Sequence, residues 1–595
     1  MRSQTLFRLA ALSLLLCLGL QAAGSGGVDF ASVSLSDAER DLPASSVINT
    51  PAAMWVWSDK YIYSAGQPLT IRWTVKPNND PYPYTIVAYI QNNQTGAKTY
   101  LPGGANATDI FGNTPAQGFR ITRLTTATKA VLAGAGGMFP AVTVPDQLGM
   151  HTIVVQVRDY TGTRIVKAAY FKFGVVSGVE TISGEITSDR TLTNDKQWNL
   201  SGTVYVKNST LTIEPGTFII GQPGTQPPSA LVITKSGKIR AAGTRARPII
   251  FTSSLPFGQR KQGDWGGVIL LGSAQANWPN GIGNIEGLPP SADSEYGGGA
   301  NPNNAHDCGT LQYVRIEFAG VEFSPANEIN SFTFGGCGTG TVVDHIEAIY
   351  GADDAFEWFG GTMNAKYLVG AYARDDYFDG QIGYSGKVQF GVALVNADNS
   401  NRGIEMDNNE ANFGATPQGI PQWYNLTFVG VGGQFTAGVD EGTAPGAYLR
   451  RGAAGHYFNM LFTNWVDGAL VLEHDPTLAN IADGDLTMDG VLMWMNGVAS
   501  GAANTPAGQV SANAATFITT QAKNVLIADP LLRRPVEYSN PDFRPQIGSP
   551  VFNANWVQPP DDGFFDQSAP FIGAFGDEDW TEEWTIFIQE QDLRP

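Results

Sequence analysis

The chain has 595 residues, a formal net charge of −19, 70 glycines and 35 prolines, with only 15% of residues charged and 43% hydrophobic. Such acidity argues against nucleic acid or an anionic lipid surface as partner, because both repel a surface of this sign; the 31 Phe, 20 Tyr and 13 Trp exclude a disordered polymer. Length leaves room for roughly two to four domains and a large core, and the Gly and aromatic content favours a turn-rich, β-dominated extracellular protein.

Arg2 and Arg8 flank the start of a twelve-residue, largely apolar run, Leu9 to Leu20, which is followed by Gln21-Ala22-Ala23-Gly24. A basic start, a short apolar centre and small residues behind it read as a signal peptide over residues 1–23. The expected location is therefore extracellular or on a bacterial cell surface. The run is shorter than the ~20 apolar residues of a membrane helix, and no membrane span is expected elsewhere. Residues 24–50, opening Gly24-Ser25-Gly26-Gly27, read as a flexible linker. Cys17 falls in the signal, leaving Cys308 and Cys337 as an isolated pair that an oxidising compartment is expected to join as a disulfide.

Between residues 51 and 178, period-two runs such as Leu69-Thr70-Ile71-Arg72-Trp73, Tyr84-Thr85-Ile86-Val87-Ala88-Tyr89-Ile90 and His151-Thr152-Ile153-Val154-Val155 alternate with Gly, Pro and Asn turns. That pattern predicts a small antiparallel β-sandwich. It resembles the immunoglobulin-like modules of bacterial surface proteins.

From residue 179 to 550 the pattern repeats. Leu211-Thr212-Ile213-Glu214-Pro215-Gly216-Thr217 is echoed by Lys238-Ile239-Arg240-Ala241-Ala242-Gly243-Thr244, and short apolar strands recur at solenoid spacing. With Gly263-Asp264-Trp265-Gly266-Gly267-Val268-Ile269 and Asn540-Pro541-Asp542-Phe543-Arg544-Pro545, the region resembles secreted right-handed parallel β-helix proteins of the pectate-lyase-like kind. The fold class expected is all-β, a right-handed parallel β-helix preceded by a small antiparallel sandwich. Residues 551–595, with Phe564, Phe565, Trp580 and Trp584, are expected to cap the last coil, since a solenoid end exposes apolar surface.

The middle coils carry the candidate chemistry. Stacking the runs around Ala355-Phe356-Glu357-Trp358, Tyr377-Phe378-Asp379, Ile404-Glu405-Met406-Asp407, Tyr448-Leu449-Arg450 and Leu470-Val471-Leu472 points Phe356, Phe378, Ile404, Leu449 and Leu470 inward. Glu357, Asp379, Glu405 and Asp407 then face outward, with Asp353-Asp354 and Asp375-Asp376 in the turns before them. Parallel strands lie ~4.8 Å apart, so these carboxylates crowd within reach of one cation. Asp353, Asp354, Asp375, Asp376 and Asp407 are the metal candidates, for Ca²⁺; Glu357, Asp379 and Glu405 are the candidates for acid and base. The competing reading is that the turn aspartates only bond backbone amides at the bends.

Long Gly/Pro/Asn-rich insertions at 277–309, 408–422 and 497–515 are expected to leave one face and wall a groove. His345 is expected to be structural. Binding of extracellular polysaccharide, or another surface component, through the solenoid face is the expected function. A calcium-assisted polysaccharide lyase or glycosidase, drawing on Arg374, Lys387, Arg402, Arg450 or Arg451, is the enzymatic alternative. A structural adhesin or surface-layer component is the other.

Overall fold

Alternation of apolar and polar residues at period two places every second side chain of a strand inside, and the short strands of the repeat obey it. The computed structural model describes residues 53–587 apart from 77–83, 102–118, 122–141, 159–164, 325–326, 397–400, 432–443, 498–509 and 537–539. The signal peptide, Cys17 and the linker lie outside the described residues. Strands from Val179 to Ile527 form one 23-stranded system, paired in parallel from coil to coil and winding as a right-handed β-helix. Short strands Phe332–Gly335, Phe356–Phe359, Phe378–Gln381, Ile404–Asp407, Ala447–Arg450 and Leu470–Leu472 pair successively along one face. Long strands Gly309–Glu317, Val342–Ile349, Asn364–Ala371, Lys387–Leu394, Gln422–Val429, Gly455–Thr463 and Leu486–Trp494 do the same along the rest of the coil.

The inward row is aromatic. Phe332 stacks on Phe356 at 5.6 Å and Phe356 meets Phe378 at 5.5 Å, with Ile404, Ala447 and Leu470 continuing the register. Leu449 also faces inward, but two residues on, in the row of Met406 and Leu472.

The long strands add two further faces beside that of the short strands. The last bends at Gly490, and the six before it each bend at one side-chain-bearing residue of positive φ: Tyr313, His345, Tyr367, Phe390, Asn425 and Asn459, between 47° and 62°. The left-handed region is costly for such side chains. Their stacking offsets the cost: Tyr313, His345, Tyr367 and Phe390 follow one another at 4.4, 4.2 and 4.9 Å. His345 is thus a structural member of this ladder, as expected.

The C-terminal segment does not cap the last coil. It runs back along the flank, where Trp580 and Trp584 meet the His345 ring edge-on at 6.3 and 5.7 Å and Glu347 accepts from the Ile586 amide at 3.0 Å. Asn425 and Asn459 on the flank donate to the carbonyls of Phe571 and Val557. The helix Ala512–Thr520 does the capping, burying Ala514, Phe517 and Ile518 against the end of the solenoid core.

The sandwich, with the antiparallel order in which Gly149–Arg158 lies between Tyr84–Asn92 and Ile165–Val175, shares its core with the first coils: Phe218 and Ile250 project from the helix into it. Cys308 and Cys337 correct the disulfide expectation. Both are free, fully buried thiols, and the Cys337 thiol donates to the Leu270 carbonyl at 3.5 Å, filling the core as a small apolar side chain does. Burial pushes the Cys308 thiol up, but hydrogen bonds with Cys337 and His306 outweigh it and bring it to about 6.

Candidate functional site

On the outward side of the short strands the register builds one continuous row, Thr333, Glu357, Asp379, Glu405 and Tyr448, each opposite the next. Outward residues of a solenoid are normally wet; here Glu357 is 3% and Glu405 5% exposed. At Glu405 the cover is Arg402 and Arg450, and at Glu357 an insertion contributes. The 277–309 insertion brings Glu286 to the row, where Asn330 donates to both Glu286 and Glu357. Asn277, from the same insertion, donates to Asn408 at 2.9 Å and accepts from Asn409 at 3.1 Å, locking the first insertion onto the second. The third expected wall falls largely on residues 498–509, outside the described residues.

The turns before the row contribute the remaining acids. Asp353 and Asp354 sit one coil before Asp375 and Asp376, and the coils are tied by the Asp376 amide donating to Asp354 at 2.8 Å. The carboxylates of Asp353, Asp354 and Asp375 approach one another within 4.8 Å, as do those of Asp354, Glu357 and Asp379. Asp354 belongs to both groups.

Burial first, then mutual repulsion, raises these carboxyls. Asp354 is held well above its ordinary value by burial and by Asp353, Asp379, Asp376 and Asp375. Asp353 rises through burial, Glu286 and Asp375, and Glu357 through burial, Glu286, Asp379 and Asp354. Asp379 rises through burial, Asp376 and Asp407. Glu286 is raised by burial, with Glu328 and Glu410 adding to it.

One coil further the charges are paired. Arg402 bridges Asp376, at 3.3 Å, and Glu405; Arg450 bridges Glu405 and, at 3.2 Å, Asp407; Arg451 bridges Asp407 at 2.8 Å and Glu410 at 3.1 Å. Both Arg402 and Arg450 lie over the Tyr448 ring, at 4.9 and 5.0 Å.

Of the expected residues, then, Asp353, Asp354, Asp375, Glu357 and Asp379 come together. Asp376 is turned to Arg402, and Glu405 and Asp407 are bound into the arginine network. Sequence reasoning missed Glu286, which only insertion folding delivers, and Asn330, Thr333, Gln381 and Asn401, neutral residues next to the acids. Gln381 donates to Glu357 at 2.8 Å and Asn401 to Asp375 at 2.7 Å. A small recess lined by Gln222, Gln226, Asp264, Trp265 and Phe323 lies elsewhere, and none of these acids lines it.

Residues 184–528 match the pectate-lyase-like beta helix domain family. The chain belongs to that family. The structure of a Yersinia enterocolitica family 28 exopolygalacturonase aligns with 81% of this chain and 100% of its own at 10% identity, with a TM-score of 0.20, too loose a superposition to carry an inference. No match was found among curated proteins. Among the described residues no helix is long and apolar enough to cross a membrane.

Proposed function

We propose that the protein is exported and binds polysaccharide on the acidic face of its β-helix, beside the joined insertions 277–309 and 408–422. The observation that carries this reading is the partly exposed pair Asp379 and Tyr448 in the outward row beside those insertions, where Glu357 and Glu405 are buried and already partnered. Carboxylates accept bonds from hydroxyls, and Asp379 stands two coils, ~9.6 Å along the axis, from Tyr448, a span that one sugar chain covers. An aromatic ring at the end of the row adds a stacking surface, since faces of Tyr are amphipathic. Family membership adds a fold whose name is taken from polysaccharide-cleaving proteins.

Binding is favoured over cleavage by the way the candidate groups are engaged. Hydrolysis needs two carboxyl groups on either side of the bond; Glu357 and Asp379 stand side by side on one sheet, with Glu357 held by Asn330 and Gln381. Elimination needs a free base, whereas Arg402, Arg450 and Arg451 are tied to carboxylates, Lys387 to Asp562, and Arg374 interacts with Glu328.

The test is affinity electrophoresis of the purified protein in gels containing a panel of neutral and uronic polysaccharides, alongside an assay for newly released chain ends. Retardation by at least one glycan, weakened in Asp379→Asn and without release of ends, is expected. Release of reducing or unsaturated ends that disappears in Glu357→Gln overturns the binding reading in favour of an enzyme. Absence of retardation by every glycan overturns it altogether.

A further inference from the structure

The two carboxylate groups that share Asp354 have a use that glycan contact does not require. We infer that this cluster binds two divalent cations of the calcium class in adjacent positions, with Asp354 common to both. The first position is formed by Asp353, Asp354 and Asp375, the second by Asp354, Glu357 and Asp379, each set with its oxygens within 4.8 Å of one another.

An acidic cluster alone is weak ground, since turn aspartates commonly serve the backbone. Here buried oxygens with no hydrogen bond among the described residues adjoin each position, two of them neutral. The Thr333 hydroxyl is 1% exposed, makes no hydrogen bond, and stands directly opposite Glu357 in the outward row. Asp379 leaves its Oδ1 buried and without a hydrogen bond in the same row. Beside the first position, Asn401 is 1% exposed; its amide nitrogen is spent on Asp375, while its Oδ1 has no hydrogen bond. Buried polar oxygens in native proteins are satisfied by protein, water or ion. Two such neutral atoms beside five carboxylates, one of which has its own Oδ1 unbonded, indicate a ligand that accepts electron pairs, which a cation does.

The donor set selects the class of cation. It contains carboxylate, amide and hydroxyl oxygen, with no imidazole or thiolate. Oxygen-only sets suit hard ions, and Ca²⁺ tolerates the irregular, carboxylate-rich geometry that two neighbouring coils and their turns provide. A chain of one-sign charges between coils also explains why one carboxylate is shared: Asp354 lies where the first turn meets the short strand, so it borders both groups.

Occupation of the second position would reach beyond the coils. Glu286 shares the Asn330 amide with Glu357, so a cation at Glu357 and Asp379 also draws in the 277–309 insertion.

The inference is independent of glycan binding, because its probe is calcium chloride alone. Full-length protein freed of metal with EDTA is titrated by isothermal calorimetry, and uptake is checked by equilibrium dialysis. Wild type is expected to take up two Ca²⁺ per chain with a rise in Tm. Asp375→Asn and Glu357→Gln are each expected to take up one, Asp354→Asn none, and the exposed Asp483→Asn two. Melting of each variant in EDTA at or above the wild-type temperature shows that lost uptake is not lost folding. A wild-type stoichiometry of one or zero, or full uptake by Asp354→Asn, overturns the inference.

Discussion

Glu357 illustrates how burial, register and charge converge on one side chain. Its outward position follows from alternation, because Phe356 and Trp358 on either side belong inside, and both are fully buried. Its burial was not legible, because Glu286 and Asn330 reach it from sequence distances of 71 and 27 residues, the first in an insertion without periodicity. The consequence is a carboxyl raised by burial, then by Glu286, Asp379 and Asp354. In the folded protein it keeps a proton that the unfolded chain releases at about pH 4.3. Folding is therefore favoured by this group at low pH, and that contribution is lost as pH rises from about 4.3 through its elevated folded value. In EDTA, wild type is expected to lose stability relative to Glu357→Gln as pH goes from 5 to 8, so that the variant melts higher at pH 8 and the gap closes towards pH 5. Thermal melts of the two proteins across that range check it. A gap that widens towards pH 5 contradicts the sign.

The coils show where pattern reading works and where it stops. Period-two alternation assigned the inner and outer sides of the short strands correctly even where the pairing was off by two residues: Ala447, not Leu449, continues the Phe378 and Ile404 row, and both face inward because two is the period. The bends in the long strands were invisible. Tyr313, His345, Tyr367 and Phe390 are β-formers by type, so nothing local marks them as left-handed; only the stack formed by neighbouring coils holds them there. Coil-to-coil contact is likewise what Phe378 supplies. Fully buried, its ring lies 5.5 Å from those of Phe356 and Phe428, and 6.1 Å from Trp423. Phe378→Ala is expected to cost about 3–5 kcal/mol through the cavity it opens among rings that cannot close in. Because a repeat array is stabilised by nearest-neighbour interfaces, the loss is also expected to show in hydrogen exchange as weaker protection in the flanking coils. A cost below about 1 kcal/mol in chemical denaturation would mean that the core collapses around the missing ring.

Sandwich, solenoid and C-terminal segment meet at one buried guanidinium. Arg315, on a long strand of the helix, forms an ion pair with Glu317 at 2.8 Å, donates to the Tyr61 hydroxyl of the sandwich at 3.3 Å and donates to the Trp584 carbonyl of the C-terminal segment at 3.3 Å. Tyr61 in turn donates to Glu317 at 3.1 Å. The aromatic residues of 564–584, expected to cover the last coil, pack on the flank of the middle coils instead. Which surface it covers depends on the flank ladder and on Glu347, neither of which has a local signature. Buried polar junctions are costly when one partner goes, so the three parts are expected to melt together. Trp584 is fully buried, its ring donates to the Trp580 carbonyl at 2.7 Å and stands edge-on to Tyr313 at 5.6 Å. Trp584→Ala removes that anchor at a cost of about 3–5 kcal/mol and frees the segment that meets Arg315. Calorimetry is expected to show one transition for wild type and two for the variant, the lower one belonging to the sandwich once its polar junction with the helix is opened. Limited proteolysis should then cut the variant first near residue 577, releasing the C-terminal aromatic segment while the coils stay intact. A variant that still melts in one unshifted transition would show that Phe218 and Ile250, which join the sandwich core to the first coils, hold the two parts together without the C-terminal segment.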